Sequence, residues 1–230
     1  MFLSRRTTHA EYFDSPECSS DEIRNAYRQL GRVNHLFKFA HPFEFHLPRL
    51  LGEERCGRLR LLDLGAGDGS LGRHLERWAQ ARGWIWRVTD LDLKLALLGP
   101  DNNNRRVAAT ALRLPFRDES FNVVLSCQMA HHLSSDPEIV QHFREAWRVA
   151  RDALFLSDLH RNVGLYALVW FGTLATGCSK RLRADGLLSV ARGFRLADWE
   201  AFAREADIRE PKISVYLGTR ILLRARKCRA

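Results

Sequence analysis

The sequence predicts an α/β protein built on a mostly parallel β-sheet with helices on both faces. Three observations lead there. Short apolar runs alternate with helical patterns between residues 59 and 158, a glycine-rich loop directly follows the first run, and two β-type runs joined at a glycine close the chain. The 230 residues, 46% hydrophobic and 27% charged, suffice for one large domain with a sizeable core and exclude disorder as the main state.

Residues 1–58 read as an N-terminal helical extension or lid in front of a main domain at 59–230. Ser20 or Asp21 is placed to cap a helix running through Tyr27, Leu30, Val33, Leu36 and Phe37. Residues 37–51 mix Phe, His and Pro and show no pattern. Strands are expected at 60–64, 84–91, 107–109, 121–126 and 153–156. Between the first two, Leu71, Leu75, Trp78 and Ala79 share one helix face. Asp136 as cap and Pro137 as first helical residue open another helix, with Ile139, Phe143, Ala146, Trp147 and Ala150 as its apolar face. An apolar helical segment at 166–174 follows, then a polar connection and a helix at 196–206. Strands at 212–217 and 220–226, linked at Gly218 and Thr219, form an antiparallel hairpin.

Several classes are excluded on composition. Residues 163–179 are uncharged but barely long enough for a membrane span, and they contain three glycines. Residues 1–8 are too few and too polar for a signal peptide. A soluble cytoplasmic protein without integral membrane association is expected. Cys18, Cys56, Cys127, Cys178 and Cys228 show no CxxC spacing, so no disulfide framework and no metal site is implied. The net charge of +9 raises nucleic acid or anionic membrane as partners. The arginines are nevertheless spread along the chain, densest at 220–229, as on a generally basic solvated surface, and no nucleic-acid partner is expected. Nothing in the sequence assigns an oligomeric state.

The chemistry begins at residues 63–72, Asp-Leu-Gly-Ala-Gly-Asp-Gly-Ser-Leu-Gly. Glycines here let the chain turn tightly and let a ligand approach the main chain, and the next helix presents free N–H groups. Gly67, Gly69 and Gly72 alone satisfy the dinucleotide fingerprint GxGxxG, with Asp90 or Asp92 near the spacing of a ribose-binding acid. The longer pattern, Asp63 followed by Gly65, Gly67 and Gly69, instead resembles motif I of class I methyltransferases, which use S-adenosyl-L-methionine. Residues 88–93, Val-Thr-Asp-Leu-Asp-Leu, are similar to the family's second motif. Residues 114–126, beginning Leu-Pro-Phe, and Met129 to Leu133, containing His131 and His132, resemble its segments around the fourth strand.

That resemblance spans roughly residues 60–135 and implies a Rossmann-like, seven-stranded sheet with an antiparallel last strand, and a helical lid inserted at 159–195. It implies S-adenosyl-L-methionine as cofactor, held by Asp63, Gly65, Ala66, Gly67, Gly69, Asp92, Leu93, Thr110, Ala111, Leu112 and Cys127. Asp92 would bind the ribose hydroxyls and Leu93 the adenine, with Asp90 on a position usually held by a small residue. Two positions depart from the pattern: Thr110 replaces the acid that reads the adenine amino group, and Asn122 replaces an Asp.

Residues 30–36, 157–161 and 185–194 resemble a narrower group, the small bacterial methyltransferases associated with type III polyketide synthases, related in pattern to the quinone-biosynthesis methyltransferases. This implies a role in secondary metabolism and a small-molecule acceptor: a hydroxyl or activated ring carbon on an apolar aromatic or polyketide-like compound. His131, His132 and His160 are the candidate bases for the acceptor proton. Arg161, Tyr166 and Trp170 are the candidate substrate contacts, with a structural network through Asp158, His160 and Arg161 as the competing reading. The alternatives are an RNA or protein methyltransferase, favoured only by the +9 charge, and an inactive donor-binding protein, suggested by Thr110 and Asn122.

Overall fold

The apolar runs become strands of a single sheet. The computed structural model describes residues 3–15, 18–36, 38–94 and 105–227. Among them are seven strands: Arg58–Leu64 (β1), Ile85–Asp92 (β2), Arg106–Ala108 (β3), Phe121–Cys127 (β4), Ala150–Leu159 (β5), Lys212–Tyr216 (β6) and Arg220–Arg226 (β7). Their order is β3-β2-β1-β4-β5-β7-β6. The pairs from β3 to β5 are parallel, and β7 runs antiparallel to both β5 and β6. Strand order reverses between β1 and β4, which opens a crevice at the carboxyl edge of the sheet.

Period-two alternation divides the core into two layers. Leu59 and Leu61 of β1 join Val123 and Leu125 of β4 on one face, and Leu62, Leu64 and Val124 belong to the other. The first layer is covered by His41–Leu51 (α2) through Phe43, Leu47 and Leu51, and by Ser70–Gln80 (α3) through Leu71, Leu75 and Ala79. The second is covered by Asp136–Val149 (α4) through Ile139, Phe143 and Ala146, and by Leu196–Glu205 (α7) through Trp199, Phe202 and Ala203. Ser20–Leu36 (α1) packs Ala26 against Cys178 and Leu182, beside Val163–Ala175 (α5) and Lys180–Arg192 (α6).

The structure corrects several boundaries. The cap of α1 is Ser19, one residue before the expected Ser20 or Asp21. Its Oγ accepts the Glu22 N–H at 3.3 Å while Glu22 Oε2 accepts the Ser19 N–H at 3.1 Å, a reciprocal capping box. Likewise Ser135, not Asp136, caps α4, its Oγ accepting the Glu138 N–H at 3.4 Å. The patternless stretch after α1 contains α2, and the polar connection contains α6. The hairpin link includes Leu217, which shares positive φ with Gly218, and Thr219 N–H closes it on the Tyr216 carbonyl at 3.0 Å. The expected end of the first helix at Phe37, and Cys228, lie outside the described residues.

Asn122 has a structural task at the amino end of β4. Its Oδ1 accepts the Arg60 N–H of β1 at 2.9 Å and its Nδ2 donates to Asp152 Oδ2 of β5 at 2.7 Å. The residue is buried and stands at the sheet edge opposite the crevice. Removing it strands a backbone donor, at a cost of about 1–3 kcal/mol. Asn122→Ala should therefore lower stability by that amount in urea denaturation while leaving affinity for any carboxyl-edge ligand unchanged.

Candidate active site at the carboxyl edge

Backbone geometry at the end of β1 depends on glycine. Gly65, Gly67 and Gly69 have φ of 72°, 56° and 73°, in the left-handed region. Gly65 N–H and Ala66 N–H donate to the Leu91 carbonyl at 2.8 and 3.1 Å, tying the loop to β2. Gly67 N–H donates to Asp92 Oδ2 at 2.8 Å, and Asp92 Oδ1 accepts the Lys94 N–H at 2.8 Å. A Cβ at Gly69 would lie 2.3 Å from Asp90 Oδ2, and one at Gly72 would lie 2.7 Å from Oδ1. These two glycines therefore make room for a protein carboxylate, and Asp92 is the acid that braces the loop itself. A Cβ at Gly67 would meet the Tyr27 ring at 2.7 Å, so Tyr27 of α1 stands directly over the loop.

Four carboxylates, Asp63, Asp68, Asp90 and Asp92, gather at this corner, with Arg73 3.7 Å from Asp68 Oδ2 and Arg106 donating to the Asp68 carbonyl at 3.0 Å. Burial pushes the Asp63 carboxyl well above the usual carboxylate range, and the neighbouring charges of Asp90, Asp92 and Asp68 push it further. Tyr27 is raised too, first by burial and then by Asp92, Asp68 and Asp14. Around the rim, Leu93 is 70% exposed and open to a planar ligand. Thr110 Oγ1 accepts the Leu112 N–H at 3.2 Å, Ala111 packs against the core, and the Leu112 carbonyl accepts from Gln141 at 3.1 Å. Burial pushes the Cys127 thiol up to about 12, which disfavours the nucleophilic thiolate.

The histidines divide into two places. His131 and His132 belong to a short helical turn after β4, with ring centroids 4.2 Å apart. His131 is buried, its Nδ1 2.7 Å from Asp158 Oδ1 at the end of β5, and its main-chain N–H donates to Asp158 Oδ2 at 3.1 Å. Burial opposes ionisation of Asp158, but the charge and hydrogen bond of His131 and two backbone N–H groups hold it below the usual range. The other ring nitrogen, Nε2, lies 3.8 Å from Glu11 Oε1. His132 Nδ1 is 2.6 Å from Asp14 Oδ2. Burial would lower His132, yet Asp14, Glu11 and Asp158 together raise it.

His160 joins neither pair; its Nδ1 lies 3.2 Å from the Gly218 carbonyl and 3.0 Å from Asn162 Nδ2, at the hairpin turn. Arg161 is buried and donates to the Gly193 carbonyl at 2.7 Å, with Asp198 at 3.5 Å. Tyr166 packs with Leu159, Leu165 and Val190, and Trp170 is 44% exposed. The first fourteen or so residues, featureless by periodicity, contribute Glu11 and Asp14 to the site. This segment, which ends in a 3-10 turn at Tyr12–Asp14, is fastened by Asp185, which accepts the Tyr12 and Phe13 N–H groups at 3.0 Å each, and by Arg192, which donates to the carbonyls of His9 and His131 at 2.8 and 2.7 Å. Tyr27 was visible in the sequence only as a member of a helical face.

Residues 62–154 match the family model described as "Methyltransferase domain". Over that stretch the chain is similar to a methyltransferase domain. The match runs from β1 into β5 and so takes in the glycine loop, both acids of β2, the paired histidines and α4. Over 100 residues the chain is 38% identical to a demethylmenaquinone methyltransferase of Roseiflexus sp. (strain RS-1), covering 42% of this chain and 39% of that protein's length. In fold it is similar to the plantazolicin methyltransferase BpumL, crystallised with a monoazolic desmethylPZN analog and SAH, with TM-score 0.68 and 12% identity over 95% of this chain and 93% of that one. It is also similar to a SAM-dependent methyltransferase of Aquifex aeolicus, with TM-score 0.53 and 15% identity over 91% and 99% of the two chains. The fold is the Rossmann-like, seven-stranded one of class I methyltransferases.

The raised Asp63 gives the protein a pH signature. Its neutral form is favoured in the folded state, so that stabilisation is fully present below the unfolded value of about 3.9 and is lost as pH rises through the raised folded value. Asp63→Asn is neutral at every pH. In differential scanning calorimetry it should melt close to the parent near pH 4 and progressively higher than the parent as pH rises towards 8.

Proposed function

We propose that the chain transfers the methyl group of S-adenosyl-L-methionine to a hydroxyl, or an activated ring carbon, of an apolar aromatic or polyketide-like small molecule. The observation that carries this reading is the gathering of Asp68, Asp90 and Asp92 beside the buried Asp63 around the glycine loop. Such a gathering suits a ligand bearing a sulfonium and an ammonium group and opposes the pyrophosphate of a dinucleotide. The SAH bound in the BpumL structures and the demethylmenaquinone named for the Roseiflexus relative support the donor and the ring-bearing acceptor.

In this reading Asp92 keeps lone pairs for the ribose hydroxyls beyond the two main-chain bonds it accepts. Leu93 covers the adenine, and Tyr27 closes the loop from outside. Thr110 commits its hydroxyl to its own turn, so adenine recognition is weaker than an acid there would give. The bound donor supplies an electrophilic methyl carbon on a positively charged sulfur, which leaves as a neutral thioether. The protein's work is alignment, exclusion of water and removal of the acceptor proton. His131 takes that proton on Nε2, because Asp158 fixes the proton on Nδ1 and stabilises the imidazolium that forms. His160 and Arg161 brace the hairpin and α6. The division at residues 58 and 59 and the role of α5 and α6 as a lid belong to the same proposal, with residues 3–15 as the strap that holds the lid down.

Turnover with labelled donor on a panel of lipophilic phenols and on total RNA tests this. A phenol should be methylated with little salt dependence, and His131→Ala should lower kcat by about 10²–10⁴ with donor affinity intact. Methylation of RNA alone, collapsing between about 50 and 200 mM salt, would contradict the small-molecule reading.

A further inference from the structure

We propose that the outer face of α5, with the cations beside it, docks on the surface of an anionic phospholipid bilayer. The 18 residues 162–179 carry no charged side chain. Helix α5 turns only a narrow stripe inward: Leu165, Gly172 and Thr173 are buried, and Tyr166 and Val169 pack towards Leu159 and Val190. Its outer side leaves Val163 74%, Trp170 44%, Phe171 66% and Leu174 54% exposed. At spacings of seven, eight and eleven residues, these four share one side of the helix. Among the described residues, five of the ten large hydrophobic side chains that are exposed belong to α5, with Leu168 as the fifth, so the apolar surface is a patch and not a scatter.

Cations border the patch. The Arg183 guanidinium lies 5.6 Å from the centre of the Trp170 ring, and Lys180 is exposed at the start of α6. Ser179 N–H donates to Gln29 Oε1 at 2.7 Å, which brings α1 to the α5–α6 turn, and Arg28 and Arg32 on either side of Gln29 are exposed. The acids nearby are committed elsewhere: Asp185 is buried under the N-terminal strap, and Glu22 pairs with Arg181 at 2.8 Å. Across residues 163–192 there are four cations and one acid, on a chain of net charge +9.

This chemistry selects the partner. Two copies meeting symmetrically through this face would set the cations of one rim against those of the other. An anionic bilayer offers apolar depth for Trp170, Phe171 and Leu174 and phosphates for Lys180, Arg183, Arg28 and Arg32. At 13 residues α5 spans about 20 Å, short of the ~30 Å hydrocarbon core. No helix among the described residues is long and apolar enough to cross a membrane, so α5 would lie in the plane of the interface. The proposal is independent of methyl transfer.

Co-sedimentation of the full chain with vesicles tests it. The chain should pellet with phosphatidylcholine vesicles containing about one third phosphatidylglycerol and at least about tenfold less with phosphatidylcholine alone. Phe171→Glu and Leu174→Glu should each weaken that binding about tenfold, and Lys180→Glu about threefold, at unchanged melting temperature. Equal binding to both vesicles, wild-type binding by Phe171→Glu, or no binding at all would overturn the proposal. A dimer in light scattering that Phe171→Glu splits, without vesicle binding, would overturn it in favour of a second copy of the chain.

Discussion

In the register of β1 and β2, Asp63 stands opposite Asp90, and both are buried. Burial first, and then the charges of Asp90, Asp92 and Asp68, push the Asp63 carboxyl well above the usual carboxylate range. Asp90 presses against Gly69 and Gly72, and Asp92, two residues later, reaches Gly67. The conformation of the loop and its need for glycine therefore share one origin. That origin is the placing of three acids at the ends of two neighbouring parallel strands.

A second layer of charge closes the site from the other side. Asp158 at the end of β5 fixes His131, and Asp14 on the N-terminal strap holds His132. Lys94, just beyond β2, reaches the strap as well, 3.0 Å from Asp14 and 2.6 Å from the Phe13 carbonyl. One segment of chain thus bridges the acidic loop, the paired histidines and α6. Pairing at both ends explains how this stretch, irregular apart from the 3-10 turn Tyr12–Asp14, can lie across the carboxyl edge: Asp185 accepts the Tyr12 and Phe13 N–H groups and Arg192 donates to the His9 carbonyl.

What the sequence made legible was local and periodic. Strands and helices between 58 and 159 follow from alternation and from glycine, and the loop acids fall where strand ends put them. Helix α2 was hidden although Phe43, Leu47 and Leu51 recur every four residues and are all buried, because Pro42 and Pro48 obscure the pattern. Pro42 sits in the first turn, where a missing N–H costs nothing, and Pro48 is accommodated inside the helix. Helix α6 was hidden by its charges and by Gly186, whose role is spatial: a Cβ there would come within 3.2 Å of Val169 on α5. Glu11 and Asp14 could not be read at all, since their partners lie 80 or more residues away and no periodicity marks such contacts. Asn122 looked like a departure from a motif and proves to be the acceptor and donor that join β4 to both neighbours.

The central claim is that this acidic, glycine-lined corner selects a cationic methyl donor. Isothermal titration calorimetry of the purified chain with S-adenosyl-L-methionine and, separately, with NADH addresses it most directly. The account predicts saturable binding of S-adenosyl-L-methionine and none of NADH. Binding of NADH with no response to S-adenosyl-L-methionine would contradict it.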